Sequence, residues 1–73
     1  MEIEILEINP LGEGKFSIAF NGTNDFGHFG LVAEYRTQRK QIKFLSVYPR
    51  QWKSQFKIPA LAAIAKEPKE NFL

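Results

Sequence analysis

Seven basic residues follow one another between residues 36 and 57 of this 73-residue chain, with no acidic residue among them. They are Arg36, Arg39, Lys40, Lys43, Arg50, Lys53 and Lys57. A run of one sign without compensating charge produces a field that attracts anionic partners and steers their approach. We therefore expect these residues to contact either an acidic protein surface or the phosphates of a nucleic acid.

Aromatic residues lie between and beside these cations, and they are Tyr35, Phe44, Tyr48, Trp52 and Phe56. Proteins that bind single-stranded nucleic acid combine a cationic groove with aromatic faces on which bases stack, and each stack contributes ~1–3 kcal/mol. Trp52 and Tyr48 are the candidate stacking residues in that case. The competing interpretation places Phe44, Trp52 and Phe56 in the core, because a domain this small needs most of its aromatic residues for its interior.

The residue types that enzymes require are scarce. His28 is the only histidine and the chain has no cysteine, so the usual zinc ligands and a thiol nucleophile are both missing. Glu2, Glu4 and Glu7 alternate with apolar residues, which indicates the solvated face of a strand and not a pair of acid–base groups. Residues 12–14 contain two glycines but lack the third glycine and the following helix of a phosphate-binding loop. We expect a non-enzymatic protein with no catalytic residue, metal, other cofactor or small-molecule substrate.

The charge distribution separates the hypotheses about the partner. Residues 1–34 hold six acidic residues against Lys15, whereas residues 35–73 hold nine basic residues against two acidic ones. Acidic side chains repel phosphate, so a dedicated nucleic-acid binder gains nothing from them. A protein-binding domain uses both signs, because complementary patches orient the partner. Protein binding is the leading hypothesis, a single-stranded nucleic-acid module is the alternative, and a structural subunit or adaptor of a larger assembly is the third.

Alternating apolar and polar residues define the elements that must position these side chains. They predict strands at 2–8, 15–21, 29–36 and 41–48, with loops at 10–14, 21–25 and 37–40. The connections are too short for parallel crossovers, so the strands form an antiparallel meander. In the first strand Leu6 and Ile8 fall out of phase with Ile3 and Ile5, so either both faces are covered or a bulge reorients the strand.

The apolar period changes near residue 50. The four-residue spacing of Trp52 and Phe56 predicts a short helix over 50–57. Pro59 suits the first position of a second helix that runs to Lys66, because an N–H at that position has no partner within the helix. The predicted apolar stripe of this second helix is Leu61, Ile64 and Ala65.

Pro68 ends the predicted helical region. Residues 69–73 are expected to fray, although Phe72 and Leu73 are apolar enough to dock on a partner. The sequence therefore predicts an α+β domain over residues 1–68, a four-stranded antiparallel meander with C-terminal helical segments.

The composition also bears on location. The chain has no cysteine, its start lacks the basic and apolar segments of a signal peptide, and no apolar stretch approaches the ~20 residues that span a bilayer. We expect a cytoplasmic protein that does not cross a membrane.

In its size, its lack of motifs and cysteine, and its polarised charge, the chain is similar to small phage-encoded proteins that bind host RNA polymerase. This likeness is one of general character across all 73 residues and carries no individual functional residue. It implies a transcription regulator that docks on polymerase near the emerging RNA. A ribosome-associated, chaperone-like or toxin–antitoxin adaptor fits the same character.

Overall fold

Four strands, an α-helix and a 3-10 helix make up the described part of the chain. The computed structural model describes residues 2–47 and 53–72. The elements are β1 (Glu2–Gly12), β2 (Lys15–Asn24), β3 (Gly27–Arg36), β4 (Gln41–Val47), α1 (Lys53–Lys66) and the C-terminal 3-10 helix (Lys69–Phe72). The strands lie in the order β1-β2-β3-β4, and each is antiparallel to its neighbour. The predicted α+β fold with a four-stranded antiparallel meander is confirmed.

The core lies between one face of this sheet and α1. The sheet contributes buried side chains at every second position of β2 and β3, and α1 contributes buried residues spaced four apart, as the periods of the two structures require. These residues are Phe16, Ile18, Phe20, Leu31, Ala33, Tyr35, Phe56, Ala60 and Ile64. The alternate strand residues lie on the opposite face, called here the open face, where they are exposed or half-buried.

Bulges resolve the out-of-phase apolar residues of both edge strands. In β1 the register shifts between Ile5 and Glu7, which leaves Leu6 as the extra residue and returns Ile8 to the core face opposite Ile18. Of the two possibilities left open by the sequence, the bulge is therefore the one adopted. In β4 the register shifts after Phe44, which pairs with Ala33. Ser46 pairs with Val32, so Leu45 is the extra residue.

Two predicted loops are wrong in position. The expected loop at 21–25 is mostly strand, because β2 continues to Asn24 and only Asp25 and Phe26 form the turn. The reason is a close approach at Gly22, which lies under the helix and must stay in the sheet. The expected loop at 10–14 shrinks in the same way. Strand β1 runs through Pro10 to Gly12, which is possible because an edge strand tolerates a residue without an N–H.

The two predicted helices are one helix. Pro59 lies inside α1 and is not its first residue, so that prediction is wrong. An internal proline removes a helical hydrogen bond and costs about 3 kcal/mol relative to alanine. The burial of Phe56, Ala60 and Ile64 in a single stripe offsets that cost, since breaking the helix would move one part of the stripe off the sheet. Ala65 is exposed and does not belong to the stripe.

The C-terminal residues 69–72 pack against the sheet. Residues 69–72 form the 3-10 helix. The centroid of the half-buried Phe72 ring lies 5.3 Å from that of the Phe16 ring and 5.8 Å from that of the Tyr35 ring. The side-chain amide of Asn71 donates a hydrogen bond of 2.9 Å to Glu67. Aromatic packing of this kind favours a tail that stays against the sheet, and the expected fraying of residues 69–73 stays a prediction that Phe72 variants test.

Substitution of Gly22 by alanine should destabilise the fold. A Cβ atom there would lie 2.9 Å from Cε1 of Phe56 and 3.2 Å from Cδ1 of Leu31, so the helix must shift. We expect Gly22→Ala to lower the free energy of unfolding by about 1–3 kcal/mol in urea titrations. Gly30→Ala is the matched control, because a Cβ atom at that position would have no other atom within 4 Å, and it should be neutral or slightly stabilising. Equal effects at the two glycines would contradict the close approach.

Phe72→Ala should lower the free energy of unfolding by about 1–2 kcal/mol, because it removes two ring contacts and half-buried apolar area. Phe26→Ala makes the same chemical change at a residue that is 80% exposed, so its effect should be smaller. Thermal or urea unfolding measures both. A Phe72 variant as stable as the native chain would mean that the tail is frayed after all.

Candidate functional site

The strand order separates the charges to opposite edges of the sheet. Strand β1 forms one edge and carries the exposed Glu2, Glu4 and Glu7. Strand β4 forms the other edge, where Lys43 and the preceding turn residue Lys40 are exposed. Because the meander keeps chain order as spatial order, the acidic start and the basic middle of the sequence end up on opposite sides of the domain.

Of the five predicted cations whose side chains the structure describes, four line a single groove along β4. The groove encloses about 460 Å³, and its cations are Arg36, Lys40, Lys43 and Lys57. They come from the end of β3, the following turn, β4 and α1. The remaining lining residues are Glu34, Gln41, Ile42 and Leu61. We call this feature the basic groove.

Strand register positions the cations of the sheet. Lys43 pairs with Glu34, and Gln41 pairs with Arg36. Lys43 of β4 and Glu34 and Arg36 of β3 therefore lie on the open face, close to the β4 edge. The long side chains of Lys40 and Lys57 reach the same groove from the turn and from the helix. The basic groove therefore combines a charged strand face with one charged residue from the helix layer.

The turn between β3 and β4, which carries Lys40, is hydrogen-bonded to the turn between β1 and β2. The backbone N–H of Thr37 donates to the carbonyl oxygen of Gly14 at 3.0 Å, and the Thr37 hydroxyl donates to the same oxygen at 3.1 Å. Lys40 itself has a φ of 51°, in the left-handed region, which ends the turn and starts β4. These contacts hold the turn against the β1–β2 turn and so limit where Lys40 can lie.

One carboxylate lies among the cations that the structure describes in the groove. Oε1 of Glu34 is 3.8 Å from Nε of Arg36, and the side chains are 24% and 49% exposed. An ion pair of this length and exposure stabilises the fold by roughly 0–1 kcal/mol, so it is weak. Four cations and one carboxylate leave the groove positive, which suits an anionic partner.

The other predicted contact residues are Arg39, Arg50, Lys53, Tyr48 and Trp52. Arg39 is exposed in the turn but does not line it. Arg50, Tyr48 and Trp52 lie outside the described residues. Lys53 is the first residue of α1, where its backbone is described and its side chain is not.

The aromatic residues of the basic segment that the structure describes lie in the core. Tyr35, Phe44 and Phe56 are all buried in the core cluster, which confirms the core interpretation for Phe44 and Phe56. Buried rings cannot stack on bases. The stacking hypothesis consequently depends on Trp52 and Tyr48, which lie outside the described residues.

His28 is exposed on β3, and its Nδ1 lies 3.0 Å from the hydroxyl oxygen of Thr23. Residues 2–47 and 53–72 contain no group of three histidine, cysteine, aspartate or glutamate side chains placed to hold a metal ion. His28 is accounted for by this local hydrogen bond between neighbouring strands.

Sequence reasoning missed the apolar component of the site. Leu61 contributes to the basic groove and also to a second cavity of about 680 Å³, whose apolar lining includes Tyr35, Ile64 and Phe72. Lys40 borders both cavities. The signal in the sequence was the prediction of Leu61 as an apolar helix residue, but only the packing of α1 on the sheet places it beside lysines.

Comparisons of the chain with protein-family models, with curated proteins and with solved structures find no match. Among the described residues, no helix is both long and apolar enough to cross a membrane.

Removing the carboxylate from the groove should strengthen binding to polyanions. Glu34→Gln leaves the Arg36 guanidinium without its acidic neighbour, so we expect elution from a heparin column at higher salt. Glu2→Gln is the matched control, because it changes net charge equally at the opposite edge of the sheet. The shift should be larger for Glu34→Gln. Equal shifts would show that net charge, and not the groove, governs the interaction.

Proposed function

We propose that this chain is a non-enzymatic regulator that binds a protein component of a large macromolecular machine. The transcription machinery, with RNA polymerase first, is the proposed setting. The contact is an acidic, extended segment of the partner that lies in the basic groove along the edge of β4. The observation that carries this proposal is the convergence of four cations from the sheet, a turn and the helix beside an edge strand.

An edge strand offers backbone groups to such a segment. In the described part of the chain β4 pairs with β3 on one side, which leaves its other edge available for an added strand. Added strands gain affinity from main-chain hydrogen bonds and gain specificity from alternate side chains. Acidic residues at alternate positions of the segment would face Lys43 on the open face, while apolar ones would face Ile42 and Leu61 on the helix side.

A peptide suits this surface better than a single-stranded nucleic acid. Base stacking needs exposed rings beside the cations, and Tyr35, Phe44 and Phe56 are buried. The acidic β1 edge would also repel a phosphate backbone that extended beyond the groove. The mixture of lysines with Ile42 and Leu61 matches a segment that alternates acidic and apolar residues.

Charge reversal in the groove tests the proposal. Proteins captured from host lysate by the native chain are identified by mass spectrometry, and the purified partner is titrated with variants. We expect the double variant Lys40→Glu and Lys43→Glu to bind about tenfold more weakly or worse, because two attractive contacts become repulsive. The single variants Lys43→Glu and Lys66→Glu are the matched pair, since they make the same change in net charge inside the groove and away from it, and Lys66→Glu should bind normally.

Two outcomes would contradict the proposal. One is equal loss of binding in the single variants Lys43→Glu and Lys66→Glu, which would reflect net charge. The other is steep, salt-dependent quenching of Trp52 fluorescence by oligonucleotides in the native chain, which would favour the single-stranded nucleic-acid module. Circular dichroism confirms that each variant is folded before it is titrated.

A further inference from the structure

We infer that the acidic β1 edge of one copy of this chain binds the basic β4 edge of a second copy, head to tail. The two edges carry opposite charge, with Glu4 and Glu7 exposed on β1 and Lys40 and Lys43 exposed at β4. Opposite charges on neighbouring strands stabilise the pair, whereas like charges directly opposite destabilise it. The β1 edge of a second copy is therefore complementary in charge to the β4 edge.

Strand directions permit the joined sheet. With four strands alternating in direction, β4 runs opposite to β1. A second copy translated across the sheet places its β1 beside β4 in antiparallel orientation, with α1 of both copies on the same side. The contact would thus continue the pattern of hydrogen bonds already present between the four strands.

The charged residues of the two edges lie on the same face. Glu4 pairs with Asn21 and Glu7 with Ala19, and both partners belong to the open face of β2. Lys43 pairs with Glu34, which pairs in turn with Ser17 of that same face. In the joined sheet the carboxylates and the ammonium groups therefore meet on the open face.

The helix-covered face is complementary as well. In the register that sets Lys43 opposite Glu4, Ile42 falls opposite Ile5 by the two-residue alternation of strands. Ile42 and Ile5 are each half-buried at the two edges of the core. Pairing would remove more of their apolar surface from water, which favours association.

The same features exclude the other ways of joining two copies. Two β1 edges would oppose glutamates to glutamates, and two β4 edges would oppose lysines to lysines. The bulges at Leu6 and Leu45 interrupt each edge and restrict the length of a paired segment. Head-to-tail contact is heterologous, so it leaves one free edge of each kind and can add further copies.

Self-association would occupy the edge that the proposed function assigns to the partner. A second copy on β4 covers the basic groove, so binding of the copy and of the partner exclude each other. Self-association depends on the two edges alone and does not require the proposed function.

Complementary charge variants test the inference by sedimentation velocity at low and high salt. In the native chain we expect the weight-average mass to rise above the 8.4 kDa of the monomer with concentration at low salt, and to fall again at high salt. The variant Glu4→Lys and Glu7→Lys has two basic edges, and the variant Lys40→Glu and Lys43→Glu has two acidic edges. Each should associate at least about tenfold more weakly than the native chain.

An equimolar mixture of the two variants should recover association, because the acidic β1 of one meets the basic β4 of the other. Recovery also shows that neither variant fails to fold. A native chain that stays monomeric at millimolar concentration and low salt would overturn the inference, as would variants that associate normally or a mixture that stays monomeric. The β1 variant separates this test from that of the proposed function, since it should lose self-association and keep partner binding.

Discussion

The packing of Phe56 against the sheet is the contact on which the rest of the structure depends. Phe56 is fully buried, and its ring lies over Gly22, where the sheet has no side chain to obstruct it. This contact sets the distance of α1 from the sheet and places Ala60 and Ile64 over the core. It also brings Lys57, the next residue of the helix, to the β4 edge beside Lys43. The core and the basic groove are therefore two consequences of one helix position.

Because α1 covers one face of the sheet, the open face and the strand edges are the surfaces that a partner could contact. The buried face uses the aromatic residues of the strands, so they are unavailable for recognition. The remaining surface offers a partner charged side chains, strand edges and apolar residues such as Ile42 and Leu61 at the rim of the core. This division supports the proposal of protein binding, because edge backbone and mixed charged and apolar side chains are the means by which sheets bind extended segments.

The meander converts a sequence asymmetry into a spatial one. In a sheet whose strand order equals chain order, the first and fourth strands lie farthest apart. The glutamates of the first strand and the lysines at the β4 edge, Lys43 and the turn residue Lys40, thus lie on opposite sides of the sheet. A crossover topology would have placed strands from different parts of the chain side by side and mixed the two charges.

The sequence by itself determined the four strands, their antiparallel order and the separation of charge, because these follow from local alternation and short connections. It also showed, through Leu6 and Ile8, that a bulge was one way to keep the first strand in phase. The exact turns, the continuous helix through Pro59 and the position of Phe72 were decided by tertiary packing. Gly22 beneath Phe56, the stripe that includes Ala60, and Phe72 against Phe16 are contacts between distant parts of the chain. The basic groove has the same origin: the sequence showed which residues are cationic, but only the packing of α1 on the sheet could select four of them and set Leu61 among them.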